Sequence, residues 1–169
     1  MASTPAAAYI RSQSVGAALA NVVLNPLIEW VLNRQKGFQP FLGNDGVAIN
    51  MALTSIILSV LVALFAARGV RHKVAVGGLS ADDMARTSQL LRRTPARAGW
   101  FGLTLGVAAA AAVAVALWLL DSAGVSGMSF TGLLLFKAVY CGVLGFGVAR
   151  WTIRCQLAAT YSQELDSGS

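Results

Sequence analysis

The sequence predicts an all-α membrane protein: a four-helix transmembrane bundle with a short cytoplasmic amphipathic helix between spans two and three. Composition is the first observation. Of 169 residues, 56% are hydrophobic and 12% charged, and the mean hydropathy is +0.65, whereas charged residues make up about 25% of soluble domains. Too few polar side chains remain to cover a wet surface. The second observation is four apolar runs at about 15–32, 47–67, 99–120 and 130–149, each close to the ~20 residues an α-helix needs to cross the hydrocarbon core. The five alanines at 108–112 exclude a barrel strand, which would alternate with period two. The chain reads as a single membrane domain, 1–169, with an inner loop at 68–98 and a tail at 150–169.

The first span carries NVVLNPLIEWVLN, with Asn21, Asn25, Glu29 and Asn33 one every four residues. It is flanked by Arg11 and Arg34 and has no small-residue cleavage site after it, so it is expected to stay as a signal anchor. Pro26 has no N–H for the Val22 carbonyl, and a kink is expected there. GFQPFLGNDG, at 37–46, has a turn signal and two phenylalanines, suiting a short outer hairpin whose rings rest in the interface. In the inner loop, Gly77 and Gly78 read as a flexible joint. Ser80, Asp82 and Asp83 cap a helix over about 81–93 that Pro95 stops. Spans three and four are joined by a short loop, which favours an antiparallel hairpin.

Orientation follows from the basic residues. Arg11, then Arg68, Arg71, Lys73, Arg86, Arg92, Arg93 and Arg97, then Arg150 and Arg154 fall on one side; only Arg34 and Lys36 fall on the other. The positive-inside rule puts both termini in the cytoplasm. The net charge of +6 is thereby explained by topology and anionic headgroups, not by nucleic acid. Arg71, Lys73, Arg86, Arg92, Arg93 and Arg97 are the candidates for headgroup or partner contact.

With that orientation, Asn25, Glu29, Asn33, Asn50, Thr54, Asp121, Lys137 and Tyr140, drawn from all four spans, fall in the outer half of the bilayer, with Asn21 just below. A lone charge at mid-helix costs about 2.5–3.5 kcal/mol on insertion scales, so each charge should find a partner. Glu29 with Lys137 is the pair that depth allows, since the lysine stem can reach back toward the outer surface. Small residues recur at four-residue spacing: Gly102, Gly106 and Ala110 in span three, and Gly142 and Gly145 among those in span four. They are expected to let helices approach closely.

Other chemistry finds little footing. Cys141 and Cys155, about 21 Å apart on a continuous helix, are beyond disulfide reach and read as small apolar fillers or free thiols. His72 has no second ligand at metal spacing, and no Ser, His and Asp set or acid pair suggests an enzyme. No metal or cofactor is expected. The Asn- and Pro-bearing first span ending in IEW, the Arg-rich inner loop closing in a Pro, and a fourth span opening SFTGLLLFKA resemble small four-span bacterial integral membrane proteins. To that group no activity is attached, and the resemblance implies only a bacterial cytoplasmic membrane. Two functions follow as expectations. One is an oligomeric permease or channel-like transporter with the Glu/Lys/Asn cluster lining its path; the other is a non-transporting accessory or assembly subunit of a larger membrane complex.

Overall fold

The computed structural model describes residues 5–79 and 98–167. Among the described residues four helices, α1 (Pro5–Asn33), α2 (Val47–Ala75), α3 (Ala98–Ser122) and α4 (Phe130–Ser167), alternate in direction. Two three-residue strands, β1 (Phe38–Pro40) and β2 (Gly127–Ser129), join the α1–α2 connection to the α3–α4 connection. All four helices are long and apolar enough to cross a membrane. Trp30 and Trp118 stand exposed at the strand end of the bundle, and Trp100 and Trp151 at the other. Eighteen residues of helix between Trp100 and Trp118 span about 27 Å, close to the ~30 Å hydrocarbon thickness between two aromatic belts. The expected inner-loop helix, with Arg86, Arg92, Arg93 and Arg97, lies outside the described residues.

Glycine sets which helices pair closely. A Cβ on Gly102 would stand 2.7 Å from the Ser59 carbonyl oxygen, and one on Gly106 2.8 Å from the Ile56 Cα. Helix α3 therefore lies directly on the backbone of α2, with Ala110 buried farther along. On α4, a Cβ on Gly142 would meet the Val22 side chain and one on Gly145 the Asn21 amide, so α1 seats on α4. Helix α4 also packs on α2, and the order across the bundle is α1, α4, α2, α3. Spans three and four do run antiparallel across their short loop, and touch through Val113, Leu117 and Leu133. The close partner of α3 is nevertheless α2, where Ala63 and Ser59 present small side chains to its glycines.

Apolar cores close both ends. At the terminal end Ala6, Ile10, Val70, Leu79, Ile153 and Leu157 cluster; at the strand end Phe41, Val47, Met51, Val113, Leu117 and Leu133 do so. Phe41 is only 2% exposed, so of the two rings expected in the interface just Phe38 stays outside. The chain turns inward because the Phe41 amide donates to the Ser126 carbonyl at 3.0 Å, continuing the β1–β2 ladder, while its own carbonyl accepts from the Ala48 amide at 3.0 Å. Gly127 is obligatory in that ladder, since a Cβ would run into the Gln39 carbonyl and the Phe38 ring.

Helices α2 and α3 stop in the same way. The Gly78 amide donates to Lys73 and the Gly77 amide to Val74, with Gly77 at φ +67°; Val125 donates to Leu120 and Gly124 to Asp121, with Gly124 at φ +92°. Both are Schellman motifs, in which a left-handed residue satisfies the last carbonyls. Gly77 and Gly78, expected as a flexible joint, thus form a defined helix stop. Helix α1 runs without a break through Pro26.

Candidate functional site

Helices α1 and α2 follow one another in sequence yet make little backbone contact. Between them runs a groove of about 870 Å³, floored by α4 through Lys137, Ala149 and Ile153. It is open on one flank, where Leu32, Leu53 and Phe65 line it and stand exposed. Its physical origin is the seating of α1 on α4 by Gly142 and Gly145, which holds α1 away from α2.

The polar floor is built from three helices. Lys137 Nζ of α4 donates to Glu29 Oε2 of α1 at 2.6 Å and to Asn50 Oδ1 of α2 at 2.7 Å. Asn50 Nδ2 in turn donates to Glu29 Oε2 at 3.1 Å and Oε1 at 3.3 Å. Asn33 Nδ2, one turn after Glu29, donates to Oε1 at 2.7 Å, and Thr54 reaches Asn50 Oδ1 at 3.4 Å. Glu29 and Lys137 are 3% and 4% exposed. At that burial an unpaired charge would be strongly unfavourable, and the pair with its amide bonds meets the demand. Asn50 acts as a two-way clip, its oxygen toward the ammonium and its amide toward the carboxylate, the only arrangement that satisfies both ions. Lys137 has three N–H donors, of which two are engaged in these bonds.

Below this network α1 carries a ladder of its own: Asn25 Nδ2 donates to Asn21 Oδ1 at 2.9 Å, and Asn21 Nδ2 to the Ala17 carbonyl at 2.7 Å. Both amides line the groove. Steps of four drift by about 40° on a 3.6-residue helix, and the polar row divides accordingly, Asn21 against Gly145 of α4 and Asn33 toward the groove mouth.

Two residues of the expected cluster stand elsewhere. Tyr140 lies in the α2–α3–α4 interior, its hydroxyl 2.6 Å from Ser55 Oγ and donating to the Ala109 carbonyl at 3.2 Å. Asp121 sits at the end of α3 and contributes its carbonyl to the helix stop; it does not line the groove. Shared depth placed both with Glu29, but helix rotation and the α1–α4–α2 order turn them away. Lys36, Asn44 and Asp45, which line the mouth, were not singled out from the sequence. In the sequence Lys36 counted only toward topology, and Asn44 and Asp45 only as part of a turn signal. Arg71 and Lys73 are exposed at the terminal end of α2.

The geometry is that of a charge-neutral polar site held by three helices and reached from the side. No family model, curated protein or solved structure matches this chain.

Proposed function

We propose that the chain is a small permease of the cell membrane, in which the Glu29, Lys137 and Asn50 network lines a polar path served by the groove between α1 and α2. The observation that carries this reading is the position of the ion pair. Both ions are almost fully buried, yet they border the groove together with Asn25, Asn33, Asn50 and Thr54, so a polar wall faces the cavity beside them. Ionisable groups at membrane depth mark substrate and ion pathways, and transporters build such sites between helices near mid-bilayer. Four helices enclose little space, so the working unit is an oligomer. The ten-to-two division of basic residues supports cytoplasmic termini.

A second reading has its own support. Helix α1 leaves most of its apolar side chains unpartnered, Leu19, Val23, Val31 and Leu32 among them, as an accessory subunit docking a larger complex would. Reconstitution into liposomes with pH- and potential-sensitive dyes separates the two. Flux that disappears in folded Glu29→Gln and Lys137→Met variants supports the permease. Intact vesicles without flux, together with a stable co-purifying membrane partner, support the accessory subunit. A strict monomer in detergent also counts against a pore.

A further inference from the structure

We propose that the groove between α1 and α2 is a phospholipid site, which takes an acyl chain along its length and the headgroup at its mouth. The inference deepens the permease reading and rests on it for the claim that the occupant is moved. Three observations carry it.

The first is shape. From Gln13 to Asn33, both lining residues, α1 rises about 30 Å, the thickness of the hydrocarbon core. The groove is thus long enough for an acyl chain, which reaches across one leaflet, about half of that thickness. Its volume falls within the ~300–1,000 Å³ of ligand sites.

The second is chemistry along the wall. Leu24, Ile28, Leu53, Ile57, Leu61 and Phe65 form an apolar flank beside the polar floor, and their exposure leaves lateral entry from the bilayer. The third is charge at the mouth. Lys36 and Asp45 line it together, with the amides of Asn33 and Asn44 beside them. One cation and one anion at headgroup level match the phosphate and ammonium of an aminophospholipid, and the amides supply hydrogen bonds to the ester region.

The test uses full-length protein in vesicles of phosphatidylethanolamine and phosphatidylglycerol, doped with a phosphatidylethanolamine whose acyl chain carries a photoactivatable diazirine. Adducts are mapped by peptide mass spectrometry. Any lipid touching the surface will label Leu135, Val139 and Val143, which are 66%, 67% and 69% exposed; Leu53 and Ile57, at 57% and 58%, offer slightly less surface. The proposal expects severalfold more adduct at Leu53 and Ile57, and loss of that excess in Ile57→Trp, which fills the groove. Labelling of the outer face should be unchanged. Because Ile57 is already exposed, the variant should fold; Leu61→Trp repeats the test one turn away. Adducts that simply follow exposure, or a groove signal unchanged by both tryptophans, would overturn it. Groove adducts without flux of solute or lipid leave this site standing and remove the permease reading; flux without groove adducts does the opposite.

Discussion

Substituting the buried ion pair one side at a time, and then both together, should give a strongly non-additive result. In Lys137→Met, Glu29 loses the 2.6 Å bond to the ammonium but keeps the Asn33 and Asn50 amides. Breaking a buried pair costs about 3–5 kcal/mol, and the two remaining amide donors place this case near 3 kcal/mol. That is roughly a hundredfold loss in the folding equilibrium, at about 1.4 kcal/mol per decade. Glu29→Leu should cost at least as much, because Lys137 then keeps only Asn50 Oδ1 at 2.7 Å. The double variant Glu29→Leu/Lys137→Met removes both charges and leaves two amides short of partners, at about 0.6 kcal/mol each by membrane double-mutant cycles. It should therefore be about 1–2 kcal/mol less stable than the parent, and more stable than either single variant. Unfolding by SDS titration in mixed micelles, followed by circular dichroism, reads all four proteins. A double variant as unstable as the two singles added together would refute the reasoning, since it would mean that the charges contribute independently.

Other expectations follow from the same contacts. Gly102→Ala places a Cβ 2.7 Å from the Ser59 carbonyl and should lower stability by about 1–3 kcal/mol. Gly147→Ala, with nothing within 4 Å of its Cβ, should instead be neutral or gain up to ~1 kcal/mol of helix propensity; the SDS titration measures both. Phe41→Ala empties a site in the strand-end core and should cost about 3–5 kcal/mol, seen as a lower melting temperature in detergent. Tyr140→Phe removes the contacts to Ser55 and Ala109, at a cost of about 0.6–1.7 kcal/mol. It should leave vesicle flux unchanged, because the ring lies off the groove.

The four helices were legible in the sequence because bilayer thickness imposes a length that composition alone reveals, and the starts of α2, α3 and α4 fall at or within one residue of the expected positions. Helix ends were less so. Helix α1 begins at Pro5 and α4 extends to Ser167, since hydropathy marks the apolar stretch while backbone hydrogen bonding carries the helix beyond it. The two strands were not legible, because three residues hold no periodicity and the pairing joins positions far apart in the chain. The Glu29–Lys137 pair could be argued from depth and charge. Asn50 as the clip between them could not, as that depends on the rotation of α2. The groove was hidden for a related reason: the small residues announced close packing, but not that α1 would choose α4 over its neighbour in sequence.

The buried pair either contributes to movement of a solute or only holds the bundle together, and the double variant separates these because it should remain folded. Flux measured in dye-loaded vesicles, wild type against Glu29→Leu/Lys137→Met at equal incorporation, is the direct measurement. Flux is expected in the wild type and none in the folded double variant; undiminished flux in the double variant, or none in the wild type, would rule out a transport role for the pair.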